Sequence, residues 1–108
     1  MAIAEKILGQ STILSASNST IYTVPASTTG IVKIIWITNT TTSDVTVELW
    51  VGNTAAGDAQ KLMDGVTIPA SDFKQVYTYM PLVATETVEA KGSTNVALSI
   101  TVAGAEIT

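Results

Sequence analysis

Hydrophobic positions along this chain recur with a period of two. In Val45-Thr-Val-Glu-Leu-Trp-Val51 the residues Val45, Val47, Leu49 and Val51 alternate with Thr46, Glu48 and Trp50. The run Val96-Ala-Leu-Ser-Ile-Thr-Val102 repeats the pattern, with Val96, Leu98, Ile100 and Val102 on the inward side. Alternation held over seven residues marks a strand with one face on a core and the other toward water. Shorter apolar runs lie at residues 13–14, 21–24, 31–39, 61–63, 66–68, 73–80 and 88–91. Turn-forming words separate them: Asn18-Ser-Thr, Pro25-Ala-Ser, Asn39-Thr-Thr-Thr-Ser-Asp44, Gly52-Asn, Ala56-Gly-Asp, Pro69-Ala-Ser-Asp72 and Lys91-Gly-Ser. Asp64-Gly65, between two short apolar runs, predicts a two-residue hairpin turn whose central residues both take positive φ. No helix of useful length is visible. The spacing predicts an all-β chain, a single antiparallel β-sandwich or jelly-roll-like domain of about seven to nine short strands. Residues 12–108 form that sandwich. Residues 1–11 are either an N-terminal arm that adds a strand to a partner or the first strand of the domain.

One run departs from the alternation. Ile31-Val-Lys-Ile-Ile-Trp-Ile-Thr-Asn39 sets Ile31, Ile35 and Ile37 on one side and Val32, Ile34 and Trp36 on the other. Apolar residues on both faces of a strand require a cover on both, yet a two-layer sandwich of this length has one core. The second cover is either a loop or terminal segment of the same chain or a neighbouring subunit. Trp50 lies opposite the aliphatic side of its own strand, and Tyr77 and Tyr79 share a side with Phe73. Each fits an aromatic corner of the core. Each also fits a subunit contact, where aromatic rings bury large area while a hydroxyl or indole N–H keeps a polar partner. With Ile3, Ile7 and Leu8 of the N-terminal segment, Ile34, Trp36, Trp50, Tyr77 and Tyr79 are the candidate interface residues.

Composition acts mainly by exclusion. At 108 residues the chain is one domain, long enough to bury about two-thirds of its unfolded surface without disulfide or metal. Eighteen Thr, 11 Val and 11 Ile make it rich in β-branched side chains, which pack well on a pleated surface and lose rotamer freedom in a helix. There is no His, no Cys and no Arg. That removes an imidazole base, a thiolate nucleophile, soft-ligand metal sites and a bidentate guanidinium clamp. A formal charge of −4 opposes a phosphate backbone, so no nucleic-acid partner is expected. No apolar run approaches the roughly 20 residues that span a bilayer, and residues 1–10 lack the features of a secretory signal. The expectation is a soluble protein, or one assembled into something soluble, with no membrane partner.

The remaining polar groups offer little chemistry. Glu86 with Glu89, and Asp58 with Asp64, are close in sequence, but neither pair comes with a sugar platform or an apolar pocket, and both read as solvated strand-end acids. The stretch from Asp58 to Gly65 has oxygens without the alternating spacing of a hand-type calcium loop, which leaves only a loose surface calcium site open. Ser and Thr hydroxyls without a base partner are not nucleophiles. Lys61 and Lys74 read as strand-edge protectors. Asn18-Ser-Thr and Asn39-Thr-Thr match a glycosylation acceptor, in a chain where 27 Ser and Thr make chance matches expected. No catalytic residue, metal ligand or cofactor is assigned, and an enzyme is not expected. Charged residues are only 13% of the chain, so much outer sheet surface must be uncharged. A free monomer with such a surface risks edge pairing, and closed homo-oligomerisation removes the risk.

The words Ile21-Tyr-Thr-Val-Pro-Ala-Ser-Thr-Thr-Gly-Ile-Val32, Asp64-Gly-Val-Thr-Ile-Pro-Ala-Ser-Asp72 and Val88-Glu-Ala-Lys-Gly-Ser with the closing run Val96 to Ile107 resemble small virion proteins of tailed bacteriophages. The resemblance extends from about Ser11 to the C-terminus, and its words mark turns and core rather than catalytic positions. It implies a capsid decoration or cement protein, often trimeric, whose partners are itself and the major capsid protein or another virion protein. The expected location is the virion, with the capsid surface foremost, after synthesis in the host cytoplasm. A tail, baseplate or fibre module of the same virion shares these features. A carbohydrate-binding sandwich, with Trp36, Trp50, Tyr77 or Tyr79 as a sugar platform, is the alternative from another class, and a hydrolase is the weakest.

Overall fold

The computed structural model describes residues 2–15, 17–52 and 61–108. Among them lie eight strands and no helix: β1 (Ile3–Ile13), β2 (Ser19–Thr23), β3 (Thr29–Asn39), β4 (Val45–Gly52), β5 (Lys61–Ile68), β6 (Phe73–Leu82), β7 (Thr87–Gly92) and β8 (Leu98–Ile107). They form two antiparallel four-stranded sheets. The first has the order β1-β8-β3-β6 and the second β2-β7-β4-β5. Every consecutive pair except β4 and β5 crosses from one sheet to the other, so the chain winds around its core as a jelly roll. Alternation builds that core as anticipated. Val45, Val47 and Leu49 of β4 and Leu98, Ile100 and Val102 of β8 belong to one interior cluster, all at most 1% exposed.

The crossovers share a device. Pro25-Ala-Ser27 and Pro69-Ala-Ser71 each carry the chain from the second sheet to the first, and in each the serine takes positive φ, 56° at Ser27 and 54° at Ser71. The proline fixes its own φ and the serine turns the chain back. The third crossing in that direction, β7 to β8, uses Val96 at φ 50°. Val96 is therefore not the first inward residue of β8. It sits in the turn, half-exposed, and regular inward alternation starts at Leu98. At the β3–β4 crossing Asn39 is 1% exposed. Its amide donates to the carbonyls of Ser43 and Ile68, and its oxygen accepts from the Thr41 N–H and hydroxyl. An acceptor asparagine needs a free amide, so Asn39 is a structural buckle.

Bulges account for most departures from simple alternation. Asp64-Gly65 does not close a hairpin. Lys61–Ile68 is one strand, and between the pairs Val47↔Val66 and Leu49↔Met63 it holds one extra residue, with Gly65 at φ 66°. A glycine in the left-handed region serves a tight turn or a bulge equally well, so local sequence could not separate them. In the first sheet the bulges line up. Ile7 and Gly9 of β1 face the adjacent residues Ala103 and Val102 of β8, while Val32 and Ile34 of β3 face Gly104 and Ala103. Leu8 and Lys33 are thus the extra residues on either side of β8. The one at Lys33 reverses the phase of β3: Val32, Ile35 and Ile37 enter the core, and Ile31, Ile34 and Trp36 face outward. Strand β1, Ile3–Ile13, runs unbroken past Ser11 and pairs with β8 along its length.

Candidate functional site

Directly paired residues of antiparallel strands share a sheet face, so the registers define what the first sheet shows to its exterior. One row across it reads Ile7, Ala103, Ile34, Tyr77, and the next toward the chain ends reads Glu5, Ala105, Ile31, Pro81. On the other side lie Gln10, Thr101, Trp36 and Gln75, then Thr12, Ser99, Thr38 and Phe73. Ile3 and Ile107 pair at the far end. The indole of Trp36 stacks on Phe73 with ring centres 4.9 Å apart. Tyr77 is 74% exposed, Tyr79 67%, Ile3 64% and Ile7 55%. Uncovered apolar and aromatic side chains therefore gather on one face of one sheet.

Charge on this face cancels. The Lys33 ammonium lies 2.8 Å from a Glu5 carboxylate oxygen. The hydrogen bond and charge of Lys33 hold the Glu5 carboxyl below its ordinary range. Beside the pair, small Ala103 and Gly104 between Ile7 and Ile34 leave a shallow notch of about 420 Å3, open to solvent. Both bulged strands line it, with Ile7 of β1 on one side and Lys33 and Ile34 of β3 on the other, where β8 carries its smallest side chains.

The second sheet differs. Its registered outward positions are mostly polar: Thr20 with Glu89, Thr46 with Thr67, Glu48 with Lys91. Trp50 is also on this side, but it is only 6% exposed, with the Lys61 ammonium 5.3 Å from its ring centre. Of the candidate interface residues, Ile3, Ile7, Ile34, Trp36, Tyr77 and Tyr79 meet on the outer face of the first sheet. Trp50 is covered on the opposite sheet, and Leu8, displaced by its bulge, packs on the core. Phe73 completes the apolar face and was outside the candidate set. Its shared parity with Tyr77 was the available signal, masked by its position next to a turn.

The acids are accounted for locally. Glu86 accepts from the Val83 N–H at 2.8 Å and closes the β6–β7 turn, and Glu89 accepts from the Thr87 hydroxyl at 2.8 Å. Asp64 lies 3.1 Å from Lys61. Asp58, with the turns at Gly52-Asn53 and Ala56-Gly-Asp58, reaches beyond the described residues. Among the described residues no group of three potential metal-binding side chains occurs. At the end where the chain termini meet, the Tyr22 hydroxyl donates to Glu106 at 2.7 Å, and the Lys6 ammonium lies 2.7 Å from its other oxygen. Lys6 first and Tyr22 second hold the Glu106 carboxyl below its ordinary range. Burial, reinforced by Glu106, pushes the Tyr22 phenol upward.

No protein-family model and no curated protein sequence matches the chain. Among solved structures, a chain in the structure of infectious bursal disease virus, Gx strain, is similar with a TM-score of 0.45 and 5% identity, over 97% of this chain and 31% of that one.

Proposed function

We propose that this protein is a non-enzymatic structural component of a virion: a capsid decoration protein that binds the expanded shell as a homo-oligomer and stabilises it. The observation that carries this reading is the uncovered apolar face of the first sheet. Four strands about 4.8 Å apart and ten residues long, at about 3.3 Å per residue, give it roughly 600 Å2. That is the whole face; its exposed apolar share comes from Ile3, Ile7, Trp36, Phe73, Tyr77 and Tyr79, each at least 38% exposed, and large apolar side chains gathered on one face mark an interaction surface. Tyr77, Tyr79, Trp36 and Phe73 stand on it beside Gln and Thr positions, and its Glu5 and Lys33 neutralise each other. Such aromatic enrichment with few unpaired charges is characteristic of interfaces. The turn words that resemble tailed-phage virion proteins fall in this fold at its sheet-to-sheet crossings, where such words have structural meaning.

The mechanism is mass action. A protein that binds the expanded lattice and not its precursor stabilises the expanded state by the free energy of that binding, summed over every copy. Such a task needs no nucleophile, metal or cofactor. Co-sedimentation with expanded and unexpanded shells tests it. Saturable binding to expanded shells, with increased resistance of those shells to heat, is the expected result. Binding to neither form, with a labelled virion showing the protein on the tail, would move the role to a tail, baseplate or fibre module. Retention on a polysaccharide column without any shell binding would support a lectin-like sandwich instead.

A further inference from the structure

The apolar face carries its own complement in relief. Tyr77 projects from edge strand β6 in the same cross-strand row as Ile34, Ala103 and Ile7, which floor the notch over β8. Tyr77 and the notch are two strands apart, with β3 midway between them. We infer that this face pairs with the same face of a second copy about a two-fold axis running along β3, so that each Tyr77 enters the notch of the other protomer. A rotation about an axis parallel to the strands keeps height along the strand and exchanges β6 with β8. The knob and the hole share one row, so both contacts form together, which is the requirement of an isologous interface.

Three further observations favour a sister copy as the occupant. The face spans about 600 Å2, so full overlap of two copies covers about 1,200 Å2 in the pair, which reaches the lower bound of a specific interface. Its charges are already paired, Glu5 with Lys33 and, at the notch wall, Lys6 with Glu106, so the face meets itself without like-charge repulsion and offers no net charge to select a different partner. The notch rim holds a carboxylate that can accept from the incoming Tyr77 hydroxyl, satisfying the group that burial would otherwise leave unpaired. The inference deepens the proposed virion role, and rests on it only for what the pair is used for. It assigns a two-fold contact where resemblance to decoration proteins implies a trimer.

The chain has no cysteine, so introduced thiols report cleanly. Sedimentation equilibrium of the full chain is expected to give twice the chain mass, little changed between low and high salt. Tyr77→Asp alters a side chain that is 74% exposed, so its fold is expected to persist by circular dichroism while association weakens by a factor of 100 or more. Thr38→Cys places a thiol on the outward side of β3, at the axis. A bis-maleimide spanning the roughly 10 Å between packed sheets is expected to link two Thr38→Cys copies efficiently, and two copies of Thr67→Cys, exposed on the outer face of the second sheet, poorly. A monomer at high concentration, a mass of three chains, or a Tyr77→Asp variant that associates like the parent would each overturn the inference. Shell binding is scored separately. A monomer that binds shells defeats the two-fold pair and leaves the virion role standing, and a pair indifferent to shells and tails does the reverse.

Discussion

Alanine at position 104 is the sharpest test of the bulge line that shapes the exposed face. Gly104 lies in the middle of β8, where β3 bulges at Lys33. A Cβ built there would overlap the carbonyl oxygen of Ile31 and stand 2.9 Å from its carbonyl carbon and 3.1 Å from the Lys33 nitrogen. All three are backbone atoms of a paired central strand, so relief requires moving β3 against β8 rather than turning a side chain. Overpacking of this kind costs about 1–3 kcal/mol when side chains can yield, and backbone contact puts this site at about 3 kcal/mol or above. The usual gain from Gly to Ala, about 0.4–1 kcal/mol through the unfolded chain, offsets only part of it. At about 4–8 °C per kcal/mol for a domain near this size, the melting temperature is expected to fall by roughly 10–20 °C. Gly92→Ala is the control. Its nearest neighbours would lie at 3.4–3.6 Å, an ordinary contact, and a change of at most about 0.5 kcal/mol is expected there. Thermal and urea melts followed by circular dichroism measure both. If Gly104→Ala melts within a few degrees of the parent, β3 is not bulged against β8 at Lys33, and the notch built on that bulge goes with it.

Other expectations follow from single groups. Asn39→Ala strands the buried carbonyl of Ile68 and unties the 39–44 turn, and a urea titration is expected to show a loss of about 2–3 kcal/mol; a loss below about 1 kcal/mol would refute its role as a buckle. Glu106 has a folded pKa below its ordinary value of 4.5, so the stability it contributes is present above that value and lost as pH falls through the depressed one. Glu106→Gln is therefore expected to cost about 1 kcal/mol at neutral pH and to flatten the acid limb of the stability profile. An unchanged acid limb would contradict the Lys6–Glu106–Tyr22 arrangement. Tyr22 has the opposite sign: its phenol is raised from 10.0, so its contribution holds below that value and is lost only at more alkaline pH. Trp36→Asp breaks the stack on Phe73, worth about 0.5–1.5 kcal/mol, and places a charge on the apolar face. A modest drop in melting temperature with loss of association is expected, and a soluble variant of unchanged mass and melting would count against the interface.

Much of the fold was legible because burial imposes a period of two. The central strands β4 and β8 show it plainly at Val45, Val47 and Leu49 and at Leu98, Ile100 and Val102. What sequence could not resolve is where an extra residue slips the phase. Nothing local distinguishes Lys33 from an ordinary strand residue, because a bulge is fixed by the register of both neighbouring strands. Simple alternation therefore groups Ile31 with Ile35 and Ile37, where the structure groups Val32 with them. Gly65 read as a hairpin glycine for the same reason, and Val96 as core because an apolar β-branched residue at positive φ is rare. For the candidate face, two-sided apolarity of β3 and the odd-numbered aromatics of β6 were readable separately. Only the pairing of β3 between β8 and β6, with β1 beyond, brings Ile3, Ile7, Ile34, Trp36, Tyr77 and Tyr79 together. Trp50 carried the same signature and lies on the other sheet, roofed by Lys61.

The claim beneath all of this is that the outer face of the first sheet is covered when the protein works. Hydroxyl-radical footprinting read by mass spectrometry, comparing the dilute protomer with the assembled protein, addresses it whatever the cover is. The account predicts that oxidation of Tyr77, Tyr79 and Trp36 falls at least about tenfold on assembly while Val83 and Val96, on the turns, stay reactive. Equal oxidation of Tyr77 and Tyr79 in both states would contradict it.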